Sequence, residues 1–354
     1  MIRRGNIASG KPGGGGERRW RSFVLAALAI SIPASFQTAK YQVSAWTFGD
    51  RTSLNRAAAS SAIDEVNLDW YLSKANGDLF TGDENMDFVA AARSRGLRVL
   101  ATVSNYSVTL DDFDADLAHG ILMSTKLRNR HVAAIYQLCL KKGYDGIDLD
   151  WESLYRSDRN RFTNFVRQLS QKLHGGGKLL SIAVHPKTSE PGDWSGAQAQ
   201  DYRQLGVVVD EFKVMTYDYS GSWSDPGPIS PPSWADEVLT FAESAVLPAK
   251  IMMGLPFYGY DWKGQDVTAV SWADVQAIID TYDPPLRRDV SGELTFSYTD
   301  DAGKKHVVFF QDRAAIAAKL RMLIRKHAAL RGVAIWVMGG ESPGFWKEIF
   351  KQLR

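Results

Sequence analysis

Eight short apolar runs recur between residues 43 and 340, with helical spacing in the segments that separate them, and no other property of the chain narrows the fold as far. The runs are VSAWTF (43–48), IDEVNLDWYL (63–72), LRVLATV (97–103), YDGIDLDWE (144–152), KLLSIAVHP (178–186), EFKVMTYDY (211–219), KIMMGLPFYGY (250–260) and GVAIWVMGG (332–340). Residues 86–95 lead through Gly96 into the third run, and residues 131–142 lead through Gly143 into the fourth. Beyond the fourth, Phe162, Phe165, Val166, Leu169 and Leu173 fall on one helical face behind a candidate N-cap at Asp158. Eight strands with intervening helices predict an α/β fold, a (β/α)8 barrel rather than an open doubly wound sheet.

One stretch breaks the rhythm. Residues 263–311 are too long for a simple loop, and LTFSYTDDAGKKHVVFF within them reads as a hairpin turning near Gly303. A small α+β insertion between strands seven and eight is the expectation. Residues 1–39 read apart from the barrel, which is assigned 40–354. Arg3, Arg4, Lys11, Arg18, Arg19 and Arg21 precede the apolar run FVLAALAISI, which ends at Pro33. Ten apolar residues are too few to span a bilayer, so the segment reads as a signal peptide for export, or as an N-terminal anchor. The single cysteine, Cys139, lies on an apolar helix face and reads as core, and no intramolecular disulfide can form. A net charge of +2 with no basic face gives no reason to expect a nucleic-acid partner.

The fourth run carries the chemistry. Strand side chains alternate, so Asp148, Asp150 and Glu152 project from one face while Ile147, Leu149 and Trp151 project from the other. Carboxylates about 6.6 Å apart repel by roughly 2.5 kcal/mol at an effective dielectric near 20. At least one of them is therefore expected to hold a proton near neutral pH, the state a general acid needs. Barrel enzymes place reacting groups at the C-terminal ends of strands. By that rule Glu152, Tyr217, Asp218, Tyr258 and Trp336 share one mouth, although Tyr217 and Asp218 have opposite parity and the sequence leaves open which points inward. His185 ends the fifth strand and reads equally as a cleft residue or a structural histidine. The acidic stretch 111–116 lacks the glycine and closing glutamate of a calcium loop and reads as solvated. No His and carboxylate set has zinc-ligand spacing, so no metal and no cofactor is expected.

Asp145, Asp148, Asp150 and Glu152 form a DxxDxDxE pattern, and MTYD stands at 215–218. In these motifs the chain resembles glycoside hydrolase family 18, the chitinase-like barrels, over nearly all of its length after residue 40. GLPFYGYDW (254–262) and AIWVMGGESPGFW (334–346) are most similar to bacterial enzymes of the spore-cortex-lytic N-acetylglucosaminidase type. The resemblance implies a retaining hydrolase of β-linked N-acetylglucosamine-containing glycans, chitin-like oligomers or peptidoglycan, acting as a monomer. It implies Glu152 as general acid and base, Asp150 as holder of the substrate's acetamido group, Asp148 as its proton partner and Tyr217 as a donor to the acetamido oxygen. It further implies Trp336 as the floor under the sugar, with Asp218, Tyr258, Trp46 and Asp145 grouped as substrate-binding positions, although Asp145 is out of phase with the other three acids of the motif and is expected to fix backbone or neighbouring side chains rather than touch substrate. A non-catalytic glycan-binding barrel and an endo-acting enzyme on N-glycans are the competing readings. The retained Glu152 argues against the first of these, and the second would use the same residues.

Overall fold

The computed structural model describes residues 41–354; the expected leader or anchor lies outside the described residues. Eight parallel strands close on themselves: β1 Gln42–Thr47, β2 Glu65–Ser73, β3 Arg98–Ser104, β4 Gly146–Asp150, β5 Leu179–Val184, β6 Glu211–Val214, β7 Ile251–Pro256 and β8 Gly332–Trp336. Closure runs through β1, which pairs with β2 (Ser44 with Glu65) and with β8 (Gln42 with Gly332). The α/β barrel expected from the sequence is the fold observed.

Strand alternation divides the side chains between two environments. Outward residues such as Val66, Leu68, Ile147 and Leu149 pack with the helices in the main core. The helix Arg159–His174 lays Phe162, Phe165, Val166, Leu169 and Leu173 against the barrel, and Trp151 stacks on Phe165 at 4.8 Å. Asp158, read as its cap, makes no capping bond. Its carboxylate is turned to His119 Nδ1 at 2.7 Å and Arg161 at 3.3 Å instead. The helix Thr125–Lys142, which buries Cys139, ends at Gly143 in the left-handed region, φ +66°. Only a residue without a β-carbon takes that turn at little cost, and it aims the chain into β4.

Between β7 and β8 sits a five-stranded antiparallel sheet: Gly259–Lys263, Asp266–Val270, Arg287–Arg288, Leu294–Thr299 and Lys305–Phe310, with one helix, Trp272–Tyr282. The hairpin turn contains Gly303 at φ +76°. β7 stops at Pro256, so the tail of the seventh apolar run, from Gly259, belongs to this sheet. The apolar pattern runs unbroken through both and hides the join. Glu293, fully buried, ties the insertion to the barrel. It accepts from the backbone N–H groups of Ile229 (2.7 Å) and Ser230 (2.8 Å) and faces Lys319 at 3.7 Å. Ser230 Oγ in turn donates to the carbonyl of Thr216 (2.6 Å) just beyond β6.

Removing one member of a buried charge pair leaves the other unpaired. Lys319→Met is therefore expected to cost about 3–5 kcal/mol of stability, read by denaturant unfolding. A loss below about 1 kcal/mol would mean that the Glu293 carboxyl simply takes up a proton.

Candidate active site

The barrel interior is polar where the sequence alternates polar residues on the inner face. Lys213 of β6 is fully buried at its centre and donates to Asp148 Oδ1 (3.0 Å), Asn67 Oδ1 (2.8 Å) and Glu65 Oε1 (3.3 Å). Burial pulls the ammonium down, but the Asp148, Glu65 and Glu211 carboxylates outweigh it and hold the group above the ordinary lysine range. Asp148 Oδ2 also accepts from Trp46 Nε1 (2.7 Å) and Thr102 Oγ1 (3.3 Å). Both of its oxygens are thus committed to protein donors. Trp46, expected to bind substrate, is 2% exposed and acts from beneath by fixing Asp148.

Asp150 and Glu152 are within hydrogen-bonding reach of each other at the top of β4. Asp150 Oδ1 is buried and accepts from no N–H or hydroxyl donor among the described residues. Burial, then the Glu152, Asp69 and Asp148 carboxyls, raise Asp150 well above the usual carboxylate range. Burial, then Asp218, push Glu152 up to about 8 against a lowering hydrogen bond with Asp150. At neutral pH this pair keeps a proton, and its outermost carboxyl can donate it.

The backbone that carries Glu152 is clamped on two sides. Asn105 Oδ1 accepts from Glu152 N–H (2.8 Å), and Asn105 Nδ2 donates to the Glu152 carbonyl (3.0 Å). Gln200 bridges the ends of β4 and β5, donating to the Trp151 carbonyl (3.2 Å) and accepting from His185 N–H (2.7 Å). The His185 ring lies 3.6 Å from Glu152, nitrogen to oxygen. Burial pushes its pKa down to about 3, with Lys187 adding to the effect, so this contact is not an ion pair. Its Nε2 accepts from Ser153 N–H at 3.4 Å, which leaves the ring proton on the Nδ1 that faces Glu152. The other face of His185 meets Trp194 edge-on at 4.4 Å, and beyond it runs a groove of about 510 Å³ lined by Tyr155, Arg156, Asp193 and Trp194.

Past β6 the parity question resolves without choosing a side. Asp218 sits at φ +59°, outside the strand conformation, so strict alternation no longer applies to Tyr217 and Asp218. Asp218 accepts from the Tyr258 and Tyr260 hydroxyls, the latter at 2.9 Å. The Tyr217 phenol has no partner among the described residues. Burial, followed by Glu152 and Asp218, raises it far above an ordinary tyrosine, so it remains a donor. Gly254 of β7 makes room for this ring: a β-carbon there would lie 2.8 Å from it and 2.6 Å from the Val214 carbonyl. Trp336 closes the mouth, half-buried, its ring 5.9 Å from Trp46 and 6.0 Å from Phe48.

The structure thus brings Asp148, Asp150, Glu152, Tyr217, Asp218, Tyr258 and Trp336 to one end of the barrel, with Trp46 beneath. Asp145 is the exception. It precedes β4 at the opposite end and accepts from Val99 N–H (2.8 Å), so it holds two strands in register and touches no cleft. Lys213, Asn67, Asn105, Gln200 and Tyr260 escaped the sequence reading. A signal existed for two of them: Glu65 and Asn67 alternate with Val66 and Leu68, and Glu211 and Lys213 alternate with Phe212 and Val214. Asn105 and Gln200 act through loop backbone and have none.

The family model for "Glycosyl hydrolases family 18" matches residues 37–341. The chain is 30% identical over 313 residues to the uncharacterized glycosylase YvbX of Bacillus subtilis, a match covering 86% of this chain and 90% of that one. The chitinase from Chromobacterium violaceum superposes with a TM-score of 0.81 at 30% identity, covering 88% of this chain and 99% of that chain. The spore cortex-lytic enzyme SleL of Bacillus cereus superposes with a TM-score of 0.79 at 28% identity, covering 89% and 74%. Fold, matched span and relatives agree, and the chain belongs to the glycosyl hydrolases of family 18 as a glycosidase.

Proposed function

We propose that this chain is a retaining hydrolase of β-linked N-acetylglucosamine-containing glycans that uses the substrate's own acetamido group as nucleophile. The observation that carries this reading is the buried Asp150 Oδ1, which accepts from no N–H or hydroxyl donor among the described residues, beside a protonated Glu152. Retention through an enzyme-bound sugar ester needs a free carboxylate. Asp148 is tied by Lys213, Trp46 and Thr102, and Asp218 by two tyrosines, so neither is placed to be that nucleophile; Asp150 is within hydrogen-bonding reach of Glu152, and Asp69 of β2 is the carboxylate of the mouth without a hydrogen bond among the described residues. A 2-acetamido group can supply the nucleophile instead. Its N–H donates to Asp150, its carbonyl oxygen accepts from Tyr217, and that oxygen attacks the anomeric carbon as the glycosidic C–O bond breaks. Glu152 protonates the departing oxygen, then removes a proton from the water that reopens the oxazolinium ring.

Trp336 offers an aromatic face under the reacting sugar, and the groove of about 510 Å³ beyond His185 is the candidate place for further units of a polymer. Relatives named as chitinase and as spore cortex-lytic enzyme support chitin-like oligomers and cell-wall glycan as the candidate substrates. Both lie outside the cytoplasm, and the basic and apolar leader at residues 3–32 fits export of a monomeric enzyme to them.

Digestion of chitin oligomers and of purified peptidoglycan, read by mass spectrometry, tests the activity. Glu152→Gln is expected to abolish cleavage of whichever polymer the wild type cuts while leaving binding intact. Binding without cleavage by both proteins would instead favour a lectin. A substrate carrying a 2-hydroxyl in place of the acetamido group is expected to be inert at enzyme concentrations that exhaust the natural one. Turnover of that analogue would require a protein nucleophile. Because the acid must hold its proton, activity is expected to fall as pH rises through about 8. A pH–rate profile still flat at pH 9.5 or so would remove Glu152 from the acid role.

A further inference from the structure

Asp69 lies on the inner face of β2, in the same alternation as Glu65 and Asn67. The two lower residues are fully bonded: Glu65 to Ser44 (2.7 Å), Arg98 (2.9 Å) and Lys213, and Asn67 to Ser44 (2.7 Å) and Lys213. Asp69 has neither a hydrogen bond nor an ion pair among the described residues, and it is half-buried where they are fully buried. The β2–β3 register supports a deliberate placement. Asp69 pairs with Thr102, which pairs in turn with Asp148, and the ladder slips by one residue between Asp69 and Tyr71. Such bulges re-aim a side chain at the rim of a barrel. An acceptor left open to solvent in the catalytic mouth, on a strand whose other inward polar groups are all satisfied, is waiting for a donor that the protein does not supply.

We propose that Asp69 is a substrate-binding carboxylate of this cleft, accepting a hydrogen bond from a hydroxyl of the glycan bound beside Asp150. The assignment rests on the hydrolase reading above and adds a fifth carboxyl to the site, after Asp148, Asp150, Glu152 and Asp218. The charged groups that it interacts with are Asp148, Asp150 and Glu152, on β4 and its end. Burial, then Asp148, raise Asp69 to about 6, so near neutral pH it is mostly the charged acceptor. Its charge also helps to keep the proton on Glu152.

Asp69→Asn keeps the shape and removes the charge. A hydrogen bond to a charged group predicts a loss of about ten- to hundredfold in kcat/KM on a β-1,4-linked N-acetylglucosamine tetramer. The basic limb of the pH–rate profile is expected to move to lower pH, because Glu152 loses a neighbouring negative charge; a merely structural residue would leave that limb in place. Titration of the same tetramer into Glu152→Gln and into Glu152→Gln/Asp69→Asn separates this proposal from the hydrolase reading. Weaker binding by the double variant supports Asp69 as a ligand even if wild type proves unable to cleave. Equal binding with an unmoved pH limb overturns the proposal, and no binding by either protein overturns both readings. A collapse of turnover beyond about ten-thousandfold that azide restores would make Asp69 a covalent nucleophile and overturn the hydrogen-bonding role. Thermal unfolding of Asp69→Asn matching wild type shows that the comparison is between folded proteins.

Discussion

The contact between Lys213 and Asp148 sets the terms for every other group in the barrel. Three carboxyls on one strand face cannot share a dry interior unless positive charge enters with them, and Lys213 is buried for that purpose. An isolated ammonium there would lose its proton; one facing Asp148, Glu65 and Glu211 keeps it. With Asp148 held from below by Lys213 and Trp46, the negative charge of the site has a fixed floor. Asp150 and Glu152 stand above that floor, progressively nearer the open mouth but crowded by like charge, and protonation relieves them. The acid is thus made from below, two layers away from where it acts.

Precision comes from backbone clamps rather than from the acid's own side chain. Asn105 takes both the N–H and the C=O of residue 152, and Gln200 fixes the peptide before it, so the Glu152 stem is positioned even though the strand has already ended. The opposite wall is set the same way. Glu293 of the insertion bonds the backbone at 229–230, Ser230 bonds Thr216, and Tyr258 and Tyr260 hold Asp218. The insertion therefore shapes the cleft by fixing the chain after β6 as well as by walling it.

These two layers differ in how legible they are in the sequence. The eight strands were readable because each is a short apolar run between helical segments, and the three carboxyls because a period of two puts them on one side. Lys213 and Asn67 were readable in principle by the same parity. In a closed barrel, which has no edge strand, polar residues in phase on such strands face the interior. Asp145 illustrates the converse: it belongs to the acidic motif in sequence but is odd in phase and sits below the strand, where it bonds Val99 N–H. The Tyr217–Asp218 ambiguity could not be settled by parity at all, since the backbone at Asp218 leaves the strand region. Asn105, Gln200 and Glu293 were invisible because each acts on backbone brought near by the fold, at separations of 47, 49 and 64 residues.

The same burial that makes the acid also sets a slope on stability. Glu65, Asp69 and Glu152 have folded-state pKa values near 7, 6 and 8, each above the ordinary carboxylate value expected in the unfolded chain. The folded state therefore binds more protons than the unfolded one across that interval. The stability linked to these groups is fully present below about pH 4 and is lost as pH rises through 6 to 8. Glu211, held low by Lys213 and Arg98 against its burial, works in the opposite direction and loses its contribution as pH falls. The two contributions are therefore jointly largest in the ordinary carboxylate range, and their sum declines as pH rises from there. Asp69, near 6, ionises before Glu152, near 8, so the fold gives up part of this stabilisation while the site still holds its acid proton.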